Sequence, residues 1–424
     1  MTKQGGTRLR SGRWGRTAVL MALAGWPLPL PAMTVEEAVA IGLERHPELA
    51  AASAEIRAAR TEVDVAKGGY LPSITVSGGP QEVSPDQWAY DVTAAQMVHD
   101  WGQVRSQVRG ARATERQRQE EWLVARDEAA LDVVETYLDL LLAQRQREVD
   151  LAQIATLEDF AQMTGLRAQG GYADRSEPDR SKLELARARQ RLASDEGLLA
   201  DAAAQFETLV GTGPGPMVEP APRSMIRALA AEDIDALVDA APLYRKTVED
   251  TQYARAEYEG ARASLLPRVN LEASALSREI GGRMESDAVV AVRLRMAPMQ
   301  GLSSFDRLEG AGERVDAAQW WEGAARREIE RRLRNLTTNG TALAEQEEAL
   351  SRQVGSAGEL GGLYREQFEA GKRDIIDLIT IQREHYDARR SLNEVHLQLI
   401  RIQYQIAAQL GRLTDLIAME GGEQ

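Results

Sequence analysis

Few residues in this chain are placed to do covalent chemistry. Its 424 residues include four histidines, His46, His99, His385 and His396, and no cysteine. His385 and His396 share a face of one predicted helix, yet they are roughly 16 Å apart along its axis, too far for one metal ion. No HExxH pattern, nucleophile elbow or cofactor fingerprint occurs, so the histidines read as ordinary helix-surface residues and no cofactor is implied. Without cysteine there is no disulfide, thiol nucleophile or thiolate zinc site, nor the acceptor that N-terminal lipidation needs. GTGPGPMVEPAPRSM (211–225) has the glycines of a phosphate loop, but no strand precedes it and the GK[ST] ending is missing. It reads as a linker.

The charges that stand out lie at two glycine turns. GGYADRSEPD carries Gly170, Gly171, Ser176 and Glu177; FEAGKRDIIDLIT carries Phe368, Gly371, Arg373, Asp374, Asp377 and Thr380. Asp374 and Asp377 stand where a helix begins, and carboxylates there favour the positive end of its dipole. Capping is one reading of these two residues.

The elements that position the turns are long and occur twice. After the second turn, Leu392, Val395, Leu399, Ile402, Ile406 and Leu410 fall at spacings of three and four, the stripe of an amphipathic helix. GGYADRSEPDRSKLELARARQRL lies under AGKRDIIDLITIQREHYDARRSL, with Gly171 against Gly371, Ala188-Arg189 against Ala388-Arg389 and Leu192 against Leu392. Pro47 and Pro242, and Leu71-Pro72 and Leu266-Pro267, continue the match, so the chain is internally duplicated. The first repeat spans 33–211 and the second 232–413, with a linker at 212–231 and a C-terminal tail at 414–424.

Within the first repeat, Thr34 and Glu37 form a capping-box pattern opening a helix over about 34–68. The period then changes to two. Ile74 and Val76 alternate with Ser and Thr, and a Gly/Pro/Ser/Asp loop at 79–86 leads to a second alternating run, Trp88 to Val98. This hairpin spans about 70–100, and the aromatics Trp88 and Tyr90 near its tip suit a membrane interface. From Trp101-Gly102 a helix runs to about 168, followed by a return helix to Gly211. A helix near 100 Å long needs coiled-coil-like neighbours. In the second repeat, Val269 to Ala273 and Ala288 to Met296 make a hairpin over about 266–299, Gln300-Gly301 replaces Trp101-Gly102, and a helix covers about 302–369.

Residues 1–32 are outside this pattern. Lys3, Arg8, Arg10, Arg13 and Arg16 precede the apolar run 17–30, and Leu30-Pro31-Ala32 offers a cleavage site, so the segment reads as a secretory signal of the Sec type. The alternative, an uncleaved anchor, is disfavoured because about 14 apolar residues fall short of the ~20 that span a bilayer. Removing the signal's five positive charges makes the net charge of −14 more negative still, which argues against a nucleic-acid partner. Beyond the signal no apolar run is long enough for a transmembrane helix; entry into a membrane would require strands closing a barrel.

Three features together resemble the TolC-like outer membrane efflux proteins: TVEEAVAIGLERHPELAAASAEIRAARTEVDVAKGGYLPSITVSGG, the Trp101-Gly102 exit from the hairpin, and FEAGKRDIIDLITIQREHYDARRSL in an ordered duplication. The likeness covers nearly all of 33–413. It implies a mainly α protein with a small membrane β-barrel: a homotrimer whose long helical hairpins form an α-barrel through the periplasm. Four strands per chain would supply a twelve-stranded barrel in outer membrane lipid. Physical reasoning agrees, since about ten residues suit a tilted outer-membrane strand and four strands cannot close a water-filled barrel alone. The resemblance implies no enzyme activity but passive transport, powered by an inner-membrane ABC or other exporter and reached through a periplasmic adaptor protein.

The resemblance also assigns roles at the turns, which would form the periplasmic tip and contact the adaptor through Gly170, Gly171 and Gly371. Asp377 matches the first of two constriction aspartates, with Asp374 beside it; Thr380 occupies the second position. Arg373 matches the basic gate residue, Ser176 and Glu177 its partners, and Phe368 an aromatic that locks the gate, without the hydroxyl. Three Asp377 carboxylates around one axis would attract cations. Gate and cap are compatible roles, and the missing second acidic ring bears on tight closure. The QFEAGKRDIIDLI turn looks like the type I secretion members, whose cargo is an unfolded protein; small-molecule or drug efflux is the alternative. A reading from another class is a periplasmic coiled-coil scaffold, which accounts for the helices but not for four alternating runs at matched places.

Overall fold

The computed structural model describes residues 32–80, 88–172, 174–220, 233–280, 283–296 and 303–421. The predicted signal segment up to residue 31, most of the first hairpin loop, residues 221–232 (the end of the predicted linker and the first residue of the second repeat) and Gln300-Gly301 lie outside them. Among the described residues thirteen elements follow, twelve of them in two matching sets. In the first, α1 (Val35–Arg45), α2 (Pro47–Gly68), β1 (Ser73–Pro80), β2 (Trp88–His99), α3 (Gln103–Gln169) and α4 (Ser176–Val210) succeed one another. In the second come α5 (Ile234–Ala240), α6 (Pro242–Ser264), β3 (Arg268–Ile280), β4 (Arg283–Arg295), α7 (Ser303–Glu369) and α8 (Ile375–Gln409), then α9 (Leu413–Gly421). The long helices α3 and α7 have 67 residues each and the return helices α4 and α8 have 35 each, so the repeats agree in length as well as order.

The opening helix differs from the single segment predicted over 34–68. It breaks at His46, whose ψ of 113° is extended, and α2 restarts with Pro47 at its first position. Proline pushes its predecessor out of helical geometry and supplies no N–H, so it opens a helix better than it continues one. Ala241-Pro242 does the same between α5 and α6. The capping box is present: Thr34 Oγ1 accepts from Glu37 N at 3.3 Å, and Thr34 N donates to Glu37 Oε2 at 3.2 Å.

The strands form one antiparallel sheet in the order β1-β2-β3-β4. Strand β4 starts at Arg283, five residues before the predicted Ala288. Its first residues, Arg-Met-Glu-Ser-Asp, show no apolar alternation, and cross-strand bonds to β3 hold them extended. Register places Ile74, Ala94, Ala273 and Val290 in one row, and Val76, Val92, Ala275 and Ala288 in the next. This face is apolar and open: Ile74, Val76, Val290, Val292 and Leu294 are each about 70 % exposed. The opposite face carries Ser73, Thr75, Asp91, Thr93, Asn270 and Glu272.

Three apolar clusters hold the helices. At mid-length, Val35, Val39, Val134, Tyr137, Leu138, Phe206 and Tyr404 pack together, and Leu413 and Ile417 of α9 join them, so part of the predicted tail is a docked helix. Its duplicate counterpart gathers Leu237, Ile329, Leu333, Val395, Ile402 and Ile406. A third cluster near the turns holds Leu157, Phe160, Phe368, Ile375, Leu378 and Ile379. Each large side chain so buried contributes on the order of 1.5–3 kcal/mol before entropy is subtracted. Helix α8 is thereby buried on two sides: Val395, Ile402 and Ile406 face α5 and α7, while Leu397, Ile400 and Tyr404 face the mid-length cluster. Among the described residues no helix is long and apolar enough to cross a membrane.

Candidate functional site

The two glycine turns close in the same way. Gly171 (φ +75°) and Gly371 (φ +70°) both occupy the left-handed region, which a Cβ would strain. Tyr172 N donates to Arg167 O at 2.9 Å and Lys372 N to Gln367 O at 2.8 Å, each bond reaching back over the last helical turn as in a Schellman motif. Gly170 ends α3 in right-handed geometry. Each turn therefore reverses the chain with its terminal carbonyls satisfied.

Acidic residues start both return helices. Asp174 Oδ1 accepts from Ser176 N at 2.6 Å, and Asp374 Oδ1 accepts from Ile376 N at 3.2 Å. The bonds from Ser176 hold the Asp174 carboxyl below its ordinary pKa. Asp374 is thus an N-cap in this fold. Asp377, one turn further, is half exposed and lies 3.0 Å from Arg373 Nη1. Thr380 shares the exposed side of α8, and its hydroxyl donates to Ile376 O at 2.7 Å in its own helix.

Within one chain the basic partners are distributed differently from the pattern that the resemblance implies. Arg373 turns toward its own hairpin: Nε donates to Gln367 Oε1 at 2.9 Å, and the guanidinium lies 3.6 Å from the Tyr364 ring centroid. It does not meet Ser176 or Glu177. Arg167 meets Glu177 instead: its Nε is 3.6 Å from Glu177 Oε2, an ion pair too long for a hydrogen bond. The same guanidinium donates to Phe368 O at 2.9 Å and lies 4.5 Å from the Phe368 ring. Phe368 itself is fully buried. Burial raises the Glu177 pKa; Arg167 opposes this, and Asp374 and Asp174 reinforce it. Arg167 therefore ties the first turn to the second, a link absent from the sequence reading. The signal for it was present, since the offset of 200 between α3 and α7 puts Arg167 opposite Gln367, beside Phe368.

Between the turns runs a cleft lined by Asp174, Ser176, Glu177, Asp179, Arg180 and Asp374. Above it a polar ladder joins α8 to the first hairpin. Gln382 Nε2 donates to Gln153 Oε1 at 2.8 Å, and Arg383 Nη2 to Glu184 Oε2 at 3.0 Å. Tyr386 and Arg390 both donate to Asp150, which is 1 % exposed, and Arg390 also reaches Asp195 at 2.5 Å. The site is thus two acidic turns on stiff hairpins, cross-linked by cations. Among the described residues no His, Asp and Glu cluster is arranged to hold a metal ion.

Comparison with known proteins places this geometry. A family model described as outer membrane efflux protein matches residues 40–212 and 241–412. Protein CyaE of Bordetella pertussis is 24 % identical over 389 residues, covering 86 % of this chain and 82 % of that protein. Among solved structures, the outer membrane protein VceC of Vibrio cholerae superposes with a TM-score of 0.78 at 14 % identity, covering 89 % of this chain and 96 % of VceC. The outer-membrane channel OprN superposes with a TM-score of 0.79 at 20 % identity, covering 89 % of each chain. At such identities the likeness is one of fold.

Proposed function

The chain belongs to the outer membrane efflux protein family, and on that footing we propose that it is the outer-membrane channel of a tripartite exporter that secretes protein. Members are passive channels that span the outer membrane and reach into the periplasm; this chain is a transport protein and not an enzyme. The observation that carries the reading is the sheet. It has one apolar face, one polar face, and edge strands β1 and β4 whose outer sides no strand pairs among the described residues. An open sheet edge has unsatisfied backbone groups that lipid cannot satisfy, so further copies must complete it. Three copies give a barrel of twelve strands, its polar face lining water and its apolar face meeting lipid.

In this reading the glycine turns form the periplasmic tip. Asp377 from three copies rings the entrance, with Arg373 holding each carboxylate and Arg167 clamping the first turn to Phe368 of the second. A periplasmic adaptor docks on the turns, and an inner-membrane ABC exporter supplies the energy. The QFEAGKRDIIDLI turn supports an unfolded polypeptide as cargo. Small-molecule efflux is the second reading, favoured by the description of the family as efflux proteins.

Single-channel recording of the detergent-extracted protein tests the channel and the ring together. Steady currents whose cation preference falls in Asp377→Ala support both, whereas a folded trimer that never conducts overturns the reading. Deleting the gene then separates the cargoes: loss of a secreted polypeptide with unchanged drug susceptibility fits secretion, and the reverse fits efflux.

A further inference from the structure

The polar face of the sheet is not uniformly charged. Strand alternation puts Arg268, Arg278, Arg283, Arg293 and Arg295 all on this face, with Glu272, Glu285, Asp287 and Asp91. Asp91, Glu285 and Asp287 lie toward the hairpin turns, together with Arg278, the cross-strand partner of Glu285, and Arg283. At the other end, where β3 leaves α6 and β4 leads on toward α7, stand Arg268, Arg293 and Arg295 with two carboxylates, Glu272 on β3 and Asp100 just after β2, the latter occupied by Gly102 N and Val104 N. Arg268 and Arg295 are direct cross-strand partners, and Arg293 faces Asn270. Glu272 is 3 % exposed, covered by Arg293 at 3.0 Å and Arg295 at 2.6 Å. Arg268 is held instead by Gln103 of α3. Both Arg293 and Arg295 remain more than half exposed, so their guanidinium groups keep donors to offer. A cavity beside them is lined by Ser73, Met97, Gln103, Arg268, Asn270 and Arg295, five of which can donate a hydrogen bond.

We propose that this cluster is a binding site for carboxylates, which in the assembled channel becomes a basic belt at the base of the barrel that holds acidic segments of a passing polypeptide. The inference rests on the polar face lining the lumen, as in the function proposed above. Three arginines against Glu272 and Asp100 leave one net positive charge per chain, and three chains add these around one axis. Planar guanidinium forks match carboxylates in geometry as well as charge. Rings of arginine or lysine select anions in pores, and the low-dielectric wall of a barrel focuses their field. The belt follows the acidic tip along the path of export. A chain with acidic stretches is repelled by Asp377 at the entrance and attracted here, so the belt favours forward movement once a segment has passed the tip.

The test uses the full-length, detergent-extracted protein and its Arg293→Gln/Arg295→Gln variant, with Glu272→Gln as an added change that removes the orphaned carboxylate. Poly-L-glutamate is added to the barrel side of a planar bilayer, and its binding to the protein in detergent is followed by fluorescence anisotropy. The expected result is block of the wild-type current, at least a tenfold weaker block in the variant, and loss of binding as salt rises. Inorganic polyphosphate is tested in parallel: block by poly-L-glutamate at lower charge concentration supports carboxylate as the preferred group, and stronger block by polyphosphate overturns that assignment. Equal block of wild type and variant overturns the site. A protein that binds poly-L-glutamate yet never conducts overturns the channel reading while keeping the site; one that conducts without block or binding overturns the belt alone.

Discussion

Arg390 on α8 lies 3.0 Å from Asp150 on α3, joining the two repeats across 240 residues of sequence. Burial raises the Asp150 pKa, the Tyr386 hydroxyl opposes the rise, and Asp195 adds to it. The arginine offsets the cost of placing two carboxylates between helices. Arg390→Ala leaves Asp150 buried without its cation and is expected to cost about 2–3 kcal/mol, below the range for fully buried pairs because Arg390 is a quarter exposed. Asp150→Asn keeps a partner for Tyr386 and leaves Arg390 with Asp195, so its cost is smaller. Thermal unfolding followed by far-ultraviolet circular dichroism ranks them; equal losses contradict the account.

His396 on α8 is gripped from both sides, by Glu219 in the linker at 2.5 Å and by Glu347 on α7. Arg145 of α3 also meets Glu219. Burial lowers the His396 pKa, but the two carboxylates outweigh it and hold the pKa above its ordinary value. The stabilisation is then fully present below about pH 6.5 and fades as pH rises through the raised value. Wild type should exceed His396→Gln in unfolding temperature by most at pH 5.5–6, with the difference shrinking at alkaline pH. A gap that grows with pH rejects this.

Phe368 is fully buried among Phe160, Ile375 and Leu378 and stacked by Arg167. Phe368→Ala should cost about 3–5 kcal/mol. Glu177→Gln, which alters only a long, partly buried ion pair, should cost less, about 1 kcal/mol. If the two variants unfold at the same temperature, the turns are not held by this packing.

The two faces of the sheet should answer differently to one substitution. Val290→Arg puts a charge on the apolar face and is expected to cost about 2–4 kcal/mol of membrane stability if near the bilayer centre. Ser274→Arg, on the polar face, should cost little. Refolding into lipid vesicles and scoring heat-resistant protein on gels separates them, and equal yields would contradict the lipid and water assignments.

Local patterns decided the elements of this protein and their repetition. The three-four spacing of Val395, Ile402 and Ile406, the alternation of Ile74 and Val76, and the glycines at 171 and 371 are short-range signals, because helix, strand and turn geometry are set within a few residues. The start of β4 at Arg283 was hidden because Arg283–Asp287 is polar at every position but Met284 and only pairing with β3 holds it extended. What surrounds each residue was decided by packing. A 67-residue helix turns many times, and which neighbour meets a given side chain depends on how that helix sits against others distant in sequence. So one stripe was visible on α8 while the fold uses two, and the cation facing Glu177 is Arg167 rather than Arg373. The sharing of Asp150 by Tyr386 and Arg390 is of the same kind, since a carboxylate's partners are fixed by three helices meeting and not by any spacing along one of them.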